Sequence, residues 1–307
     1  LGDVYKRQDD RINYSIIIPH RNIPLLLRRC LDSIPRRMDI QIIVVDDNSD
    51  PGQVDFEHFP GLDEPCVEVY FTKEGKGAGY ARNIGLKHAK GKWLLFADAD
   101  DFYKESLLLS LDPYIDATFD IVYFGADSVN SETLAFSDRS VVLNQVIDMY
   151  NTSDVHSVDL LKYTNWVPWN KMFKHDFVRK YCLSYEEIKT GNDAFFVVKA
   201  GWLAKNISVI KKKLYCVTYR TDSLTFSVSK ESFFCSIDMR LRLNEFFQSI
   251  GKSDFRDPLY GAAYFAYSNF GFVVILDFLK QVKKHNQLLF LMKSLMRKIF
   301  SYAFAKK

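Results

Sequence analysis

Trp93-Leu94-Leu95-Phe96-Ala97-Asp98-Ala99-Asp100-Asp101 decides how the rest of the chain is read. After Gly91 comes an apolar run that ends in three carboxylates within four positions. A short, continuously apolar run with such boundaries reads as a buried strand of a parallel sheet. On extended backbone, residues i and i+2 face the same way, so Asp98 and Asp100 stand side by side. Adjacent carboxylates repel, and burying them unpaired is costly. A hard divalent cation, Mn²⁺ or Mg²⁺, relieves both costs through oxygen ligands. Open α/β sheets bind ligands at the carboxyl ends of their strands, where this cluster falls. Taken alone, Asp-x-Asp fits more readily a polar loop with a helix N-cap, because short motifs match freely.

Upstream, Ser15-Ile16-Ile17-Ile18-Pro19 is a β-branched run and predicts a central strand. His20-Arg21-Asn22 forms the loop at its carboxyl end. Leu25, Leu26, Leu27, Cys30, Leu31 and Ile34 recur at helical spacing up to Pro35. Gln41–Val45 is a second strand, ending in Asp46-Asp47-Asn48-Ser49. Strand, helix, strand in this order is a right-handed crossover unit. Val67–Phe71 gives a third strand, and Lys73–Gly79 a glycine-rich turn. Tyr80–Ala89 gives a helix with Arg82 and Asn83 in its first turns. Glycine loops before helices can cradle phosphate, but this one matches neither the dinucleotide nor the P-loop pattern; a hinge or helix start is the simpler reading.

Downstream, Lys104–Leu111 predicts a short helix and Asp120–Ala126 a strand. Ser128–Asp154 looks like an inserted polar lobe, and Ser157–Tyr163 a helix. Trp166-Val167-Pro168-Trp169-Asn170-Lys171 sets two indoles beside an amide and a lysine, for core packing or for facing a sugar diphosphate. Asp193 stands at the start of an apolar helix, Ala194–Ala204, where an acid suits the helix dipole as a cap. Lys211-Lys212-Lys213 reads as a solvated turn before a strand over Leu214–Tyr219, and Arg220–Thr225 as a polar loop. From about Glu231 only helical patterns remain. Leu259–Leu276 is uncharged, nearly long enough for a membrane span, but diluted by Gly261, Ser268, Asn269 and Gly271. It reads as a helix within a bundle or on a bilayer face. Lys280–Lys307 is basic and amphipathic, suited to anionic lipid or to ordinary packing.

Bulk numbers bound the classes. The 307 residues allow one large domain or two smaller ones, and 48% hydrophobic content supports a sizeable core. A net charge of +3 argues against nucleic acid as partner. Five scattered cysteines without a CxxC pair read as reduced thiols of a cytosolic protein rather than zinc ligands. Leu1–Asp10 is polar and patternless, and no signal-peptide pattern is present. The expected organisation is a lead-in over 1–13, an α/β domain over 14–228 and a helical region over 229–307.

Ile16-Ile17-Ile18-Pro19, Val44-Val45-Asp46-Asp47-Asn48-Ser49, Ala81-Arg82-Asn83-Ile84-Gly85 and Leu95-Phe96-Ala97-Asp98-Ala99-Asp100-Asp101-Phe102 occur in that order. Together they resemble the family 2 glycosyltransferases of the GT-A fold, common in bacterial surface-polysaccharide synthesis. The close match covers Tyr14–Phe102; a weaker one runs through Trp169-Asn170-Lys171, Gly191-Asn192-Asp193 and Arg220…Ser223-Leu224-Thr225. The tail after Glu231 lies outside it. The resemblance implies a Rossmann-like, mostly parallel mixed sheet flanked by helices, here with a C-terminal helical extension. It implies that Pro19, Arg21, Asp46, Asp47 and Arg82 form the nucleoside side of a nucleotide-sugar site. Asp98, Ala99 and Asp100 correspond to the Asp-x-Asp element, with Asp98 and Asp100 as ligands of Mn²⁺ or Mg²⁺. Lys171, Arg220 and Ser223 would contact the diphosphate. Asp193 corresponds to the catalytic base; the family often has Glu before it, and Asn192 stands there instead. The implied activity is inverting transfer from a nucleotide sugar, UDP-linked by expectation, to a saccharide or lipid-linked saccharide. The location would be cytoplasmic, with peripheral contact at the inner membrane face. A nucleotidyltransferase or a non-catalytic saccharide- or nucleotide-binding relative are the alternatives; His20-Arg21-Asn22-Ile23-Pro24 is a poor match to a nucleotidyltransferase activating loop.

Overall fold

The computed structural model describes residues 12–219 and 229–304. They fall into two units, one of residues 12–188 and 192–219 and one of residues 189–191 and 229–304. The expected lead-in lies mostly outside the described residues. From Ile12 onward the chain is paired, the Asn13 N–H donating to the Asp39 carbonyl.

The first unit is built on one eight-stranded sheet of order β3-β2-β1-β4-β7-β6-β8-β5. The strands are β1 (Tyr14–His20), β2 (Ile40–Asp47), β3 (Val67–Thr72), β4 (Trp93–Phe96), β5 (Phe102–Tyr103), β6 (Ile121–Asn130), β7 (Lys171–Lys174) and β8 (Ile207–Tyr219). β3, β2, β1 and β4 run parallel, β7 is antiparallel to β4 and β6, and β6 and β8 are parallel. This is the mixed, mostly parallel sheet that the family resemblance implies.

Alternation splits each central strand between two cores. Ile16, Ile18, Ile42, Val44 and Leu95 pack on one face; Ile17, Ile43, Val45, Leu94 and Phe96 pack on the other. α1 (Pro24–Asp32) covers the first face with Leu27, Cys30 and Leu31, at the spacing of one helical side. α2 (Ala78–His88) lies over the second face and meets it through Ala81. There Gly85 is required by proximity, since an added Cβ would meet Ile17 Cγ2 at 2.4 Å. Chain order takes β1 to β2 and β3 on one side, then crosses back to β4 on the other. The crevice at the carboxyl ends of β1 and β4 is therefore a topological switch point.

Three readings change. After β4 the chain forms β5 first, and the next helix, α3 (Leu107–Leu111), starts later than expected. The polar stretch after β6 is no separate lobe. β6 itself continues to Asn130, and α4 (Val141–Met149) returns onto it. Asn144 seals that return, accepting from the Ala126 N–H (3.0 Å) and donating to the Ala126 carbonyl (2.8 Å). α5 (Val155–Tyr163) and α6 (His175–Lys180) bracket β7 in sequence. The three lysines Lys211–Lys213 do not turn the chain: β8 runs through them, and its register with β6 slips across Phe124–Ala126. A bulge places extra residues on one strand without ending it, so three exposed cations need no turn.

The second unit contains α8 (Lys230–Ser249), α9 (Tyr260–Phe270), α10 (Phe272–Lys284) and α11 (Leu288–Phe304). Its core gathers Phe233, Ile237, Leu241, Leu259, Phe278 and Val282, among others. The uncharged stretch Leu259–Leu276 is two helices, because Gly271 at φ 81° breaks it. Among the described residues no helix is long and apolar enough to cross a membrane.

Candidate active site

The turn after β4 is clamped from three sides. Tyr215 of β8 accepts from the Asp98 N–H (3.0 Å) and donates to Asp101 Oδ2 (2.9 Å). Asp101 Oδ1 accepts from the Thr218 N–H (2.6 Å). The Asp100 carbonyl accepts from Arg29 of α1 (2.6 Å) and from the Thr218 hydroxyl (2.8 Å). Asp101 is almost fully buried, and burial, reinforced by the charges of Asp100 and Asp98, pushes its carboxyl well above the usual range. Of the three acids, Asp101 thus holds the turn. Asp98 keeps its side chain 36% exposed.

Arg82 joins this turn to the catalytic candidate. Its buried guanidinium donates to Asp98 Oδ1 (2.6 Å) and to Asn192 Oδ1 (2.8 Å), and lies over the Tyr185 ring at 5.3 Å. Asn83, next in sequence, exchanges two hydrogen bonds with the Tyr185 backbone. Gly79 permits the approach: a Cβ there would meet the Glu186 carbonyl at 2.1 Å and Asn192 Cβ at 2.9 Å. The first turns of α2 thus bind the strand-end acids to Tyr185 and Asn192 of the same unit.

Asp193 precedes α7 (Ala194–Leu203) at the capping position, yet its side chain makes no capping hydrogen bond. Capping is the ordinary use of an acid at this position, and it does not account for this one. The carboxyl is half-buried in the first unit, and its pKa is raised. Burial is the main cause; Arg82 opposes it, Asp98 adds to it, and Lys171 opposes it more weakly.

The end of β2 is built differently. His20 Nε2 accepts from the Ile23 N–H (3.1 Å), so Nδ1 carries the proton and donates to Asp46 Oδ1 (2.7 Å). The Ser49 N–H and hydroxyl also donate to Asp46. Burial raises the Asp46 pKa, but these hydrogen bonds outweigh it and leave it lowered. Asp47 accepts from the Lys76 (3.1 Å) and Gly77 (2.6 Å) N–H groups. The glycine turn's N–H groups at these positions therefore hold a protein carboxylate, which removes the reason to assign them to phosphate. Pro19 is buried in β1, and Arg21 is exposed beside the same turn, 3.9 Å from where a Gly75 Cβ would stand.

Lys171 does not face a diphosphate in this conformation. It is buried in β7, and its three donors go to the Asn165 carbonyl (3.1 Å), the Val167 carbonyl (2.6 Å) and Asn170 Oδ1 (2.6 Å). Trp169 is likewise a core residue, stacked on Tyr215 at 4.9 Å. Arg220 and Ser223 lie outside the described residues. Sequence reasoning missed Tyr215, Thr218 and Arg29, which reach the turn from 117, 118 and 71 positions away and carry no local motif. Asn83 was within reach as part of Ala81-Arg82-Asn83.

Among the described residues, no three His, Cys, Asp or Glu side chains converge as a self-sufficient metal cage. A cation that takes most ligands from substrate phosphates needs only one or two carboxylates. Asp98 and Asp100 fit that mode, with Asp98 Oδ1 already engaged by Arg82.

Residues 15–182 match the family described as glycosyl transferase family 2. The chain belongs to that family. It is 26% identical over 238 residues to glycosyltransferase GlyA of Streptococcus pneumoniae, covering 71% of this chain and 32% of the relative. It is 28% identical to a poly(ribitol-phosphate) beta-glucosyltransferase of Bacillus spizizenii, covering 70% and 33%. The chain spans about a third of the length of GlyA and under two thirds of two further curated relatives. The solved structure of S. aureus TarS 1-349 with UDP-GlcNAc superposes with a TM-score of 0.68 at 18% identity, covering 90% of this chain and 81% of that one. The first unit thus has the GT-A fold of a glycosyltransferase, and the nucleotidyltransferase alternative falls away.

Proposed function

We propose that the chain transfers a sugar, with inversion, from a nucleotide-diphosphate sugar to a hydroxyl of a saccharide or lipid-linked saccharide. The observation that carries this is Asp193: a half-buried acid of raised pKa at a helix start, unused as a cap, and tied through Asn192 and Arg82 to Asp98.

In this reading Asp193 takes the proton of the acceptor hydroxyl as that oxygen attacks the anomeric carbon. A raised pKa makes a carboxylate a stronger base. One base opposite the leaving group gives direct displacement and inversion, with no covalent intermediate. Asp98 and Asp100 would hold Mn²⁺ or Mg²⁺ together with the diphosphate; when bound, the cation supplies positive charge to the departing oxygen. Arg82 orients Asp98 through its hydrogen bond and adds fixed positive charge beside the donor. Pro19, Arg21, Asp46 and Asp47 line the nucleoside side. Asp46 and Asp47 act there by fixing the loops after β1 and β3, since their carboxylates are engaged by protein donors.

A uridine nucleotide is favoured because TarS, which shares the fold, has been solved with UDP-GlcNAc. The kinship to a poly(ribitol-phosphate) transferase supports an acceptor in cell-surface polymer synthesis. In this reading the work is done at the cytoplasmic face of the membrane, with peripheral contact. The test is a donor screen by UDP or GDP release with Mn²⁺, with and without chelator. Chelator-sensitive release from one UDP-sugar is expected; no release from any donor in the presence of saccharide acceptors would overturn the proposal.

A further inference from the structure

The second unit turns apolar side chains outward where a packed bundle would turn them in. On α11, Leu289, Met292, Met296 and Ile299 recur at 3-4-3 spacing and are 54–63% exposed. That spacing is one continuous helical stripe. Leu291 on the opposite side is buried, so the helix does pack, and the stripe is its outer face. Lys293 and Arg297, one turn apart and both exposed, run along the stripe's edge. α10 repeats the arrangement along its length: Val273 and Leu276 are exposed, and Lys280, Lys283 and Lys284 continue the same face. Tyr264 and Tyr267 of α9 are 74% and 60% exposed.

Charge follows the same division. Residues 229–307 hold thirteen Lys and Arg against six Asp and Glu, a net +7, which leaves −4 on the remainder of a chain of net +3. Among residues 259–307 the only acid is Asp277.

We infer that the outer face of α10 and α11 binds an anionic lipid bilayer, lying in the plane of the headgroups. Apolar stripes edged by cations suit this position: the stripe enters the acyl boundary while the cations meet lipid phosphates. Aromatic rings with a polar tip, as on Tyr264 and Tyr267, favour the same depth. Crossing is not required, and no described helix is long and apolar enough for it. A second copy of the chain is the poorer occupant. A two-fold interface sets the same patch against itself, which would bring Lys293 and Arg297 toward their own copies in a desolvated seam. Anionic headgroups neutralise what a second copy would repel. The inference names the surface behind the peripheral contact in the proposed function, and supplies a reason for it: a soluble donor would meet a lipid-linked acceptor at the bilayer.

The test uses the full chain without donor or acceptor, so lipid binding and sugar transfer stand or fall separately. Co-sedimentation is measured with vesicles of phosphatidylcholine alone and of phosphatidylcholine mixed with phosphatidylglycerol. Binding is expected to the mixed vesicles only, and to weaken in high salt. The pair Lys293→Glu and Arg297→Glu should lower the partition coefficient tenfold or more, as should Met292→Ser with Met296→Ser. A thermal melt by circular dichroism checks that each variant is folded; for any that is not, Lys283→Glu with Lys284→Glu replaces it. Equal binding to both vesicle types, no binding to either, or folded variants that bind unchanged would overturn the inference. So would light scattering that shows a dimer dissociated by the stripe variants.

Discussion

At the carboxyl end of β2, Asp46 and Asp47 are both buried, and their oxygens receive His20, Ser49 and two backbone N–H groups of the glycine turn. At the end of β4, two strands away in the same parallel sheet, Asp98 is a third exposed and Asp101 takes over the structural bonds. Both ends present adjacent acids in sequence, and only the surroundings separate them. Where protein donors saturate a carboxylate, its pKa falls and it serves as scaffold, as with Asp46. Where burial dominates with few donors, as with Asp193, the pKa rises, as the proposed base requires. Position at a strand end marks the neighbourhood; donor count assigns the task.

The strongest test of that division is Asp193→Asn. If Asp193 is the base, kcat for UDP release should fall by about 10²–10⁴. Stability should not fall with it. The raised folded pKa means the native state binds more protons than the unfolded chain as pH climbs past the ordinary aspartate range, near 3.9. Stability is therefore lost as pH rises through that window, and the amide removes the loss. Urea midpoints at pH 7 should be equal to or above the parent's. The parent's kcat/KM should drop on acidification at a pH above that range. Full activity in the variant would break the comparison at its centre.

Next in size are Asp98→Asn and Asp100→Asn, each expected to lower kcat by about 10²–10³ through weaker charge stabilisation of the leaving diphosphate. A rise in the Mn²⁺ concentration needed for half-maximal rate should accompany the loss. Asp46→Ala separates the two strand ends. It strands His20 Nδ1–H and the Ser49 donors in a dry site, at a cost on the order of 3 kcal/mol in folding stability. The urea midpoint reads it. A stable Asp46→Ala protein with abolished donor binding would instead make Asp46 a direct ligand and erase the contrast.

Much of this architecture was legible in the chain. The β-branched and apolar runs at Ser15–Pro19, Gln41–Val45 and Trp93–Phe96 can be little else than buried strands, and the matching cores on both faces follow from their alternation. The four ordered motifs located α2 and the acid turn. What stayed illegible depended on contacts distant in sequence. Nothing local in Lys211-Lys212-Lys213 distinguishes a bulge from a turn; the partner strand β6 decides it. Lys171 beside Trp169 suggested an outward cation, but the carbonyls of Asn165 and Val167 draw its ammonium inside. In sequence Asp193 suits a helix cap as readily as a base, and the missing capping bond counts only against the cap.

The smallest expected effect falls on Tyr215, a residue with no motif at all. Its hydroxyl accepts from the Asp98 N–H and donates to Asp101. Tyr215→Phe removes both bonds and leaves Trp169 stacked on the ring. A net hydrogen bond is worth about 1 kcal/mol, and a buried group left unsatisfied costs roughly 1–3 kcal/mol. Asp101 keeps the Thr218 N–H, so the loss should sit near 1–2 kcal/mol by urea midpoint. The informative readout is kinetic. If Tyr215 acts by holding the turn that carries Asp98, the variant should need more Mn²⁺ for half-maximal rate while the acid limb governed by Asp193 stays where it was. A shift of that limb with unchanged metal dependence would mean the hydroxyl acts on the base rather than on the turn, and the two acid regions would then be less separate than their hydrogen bonds make them.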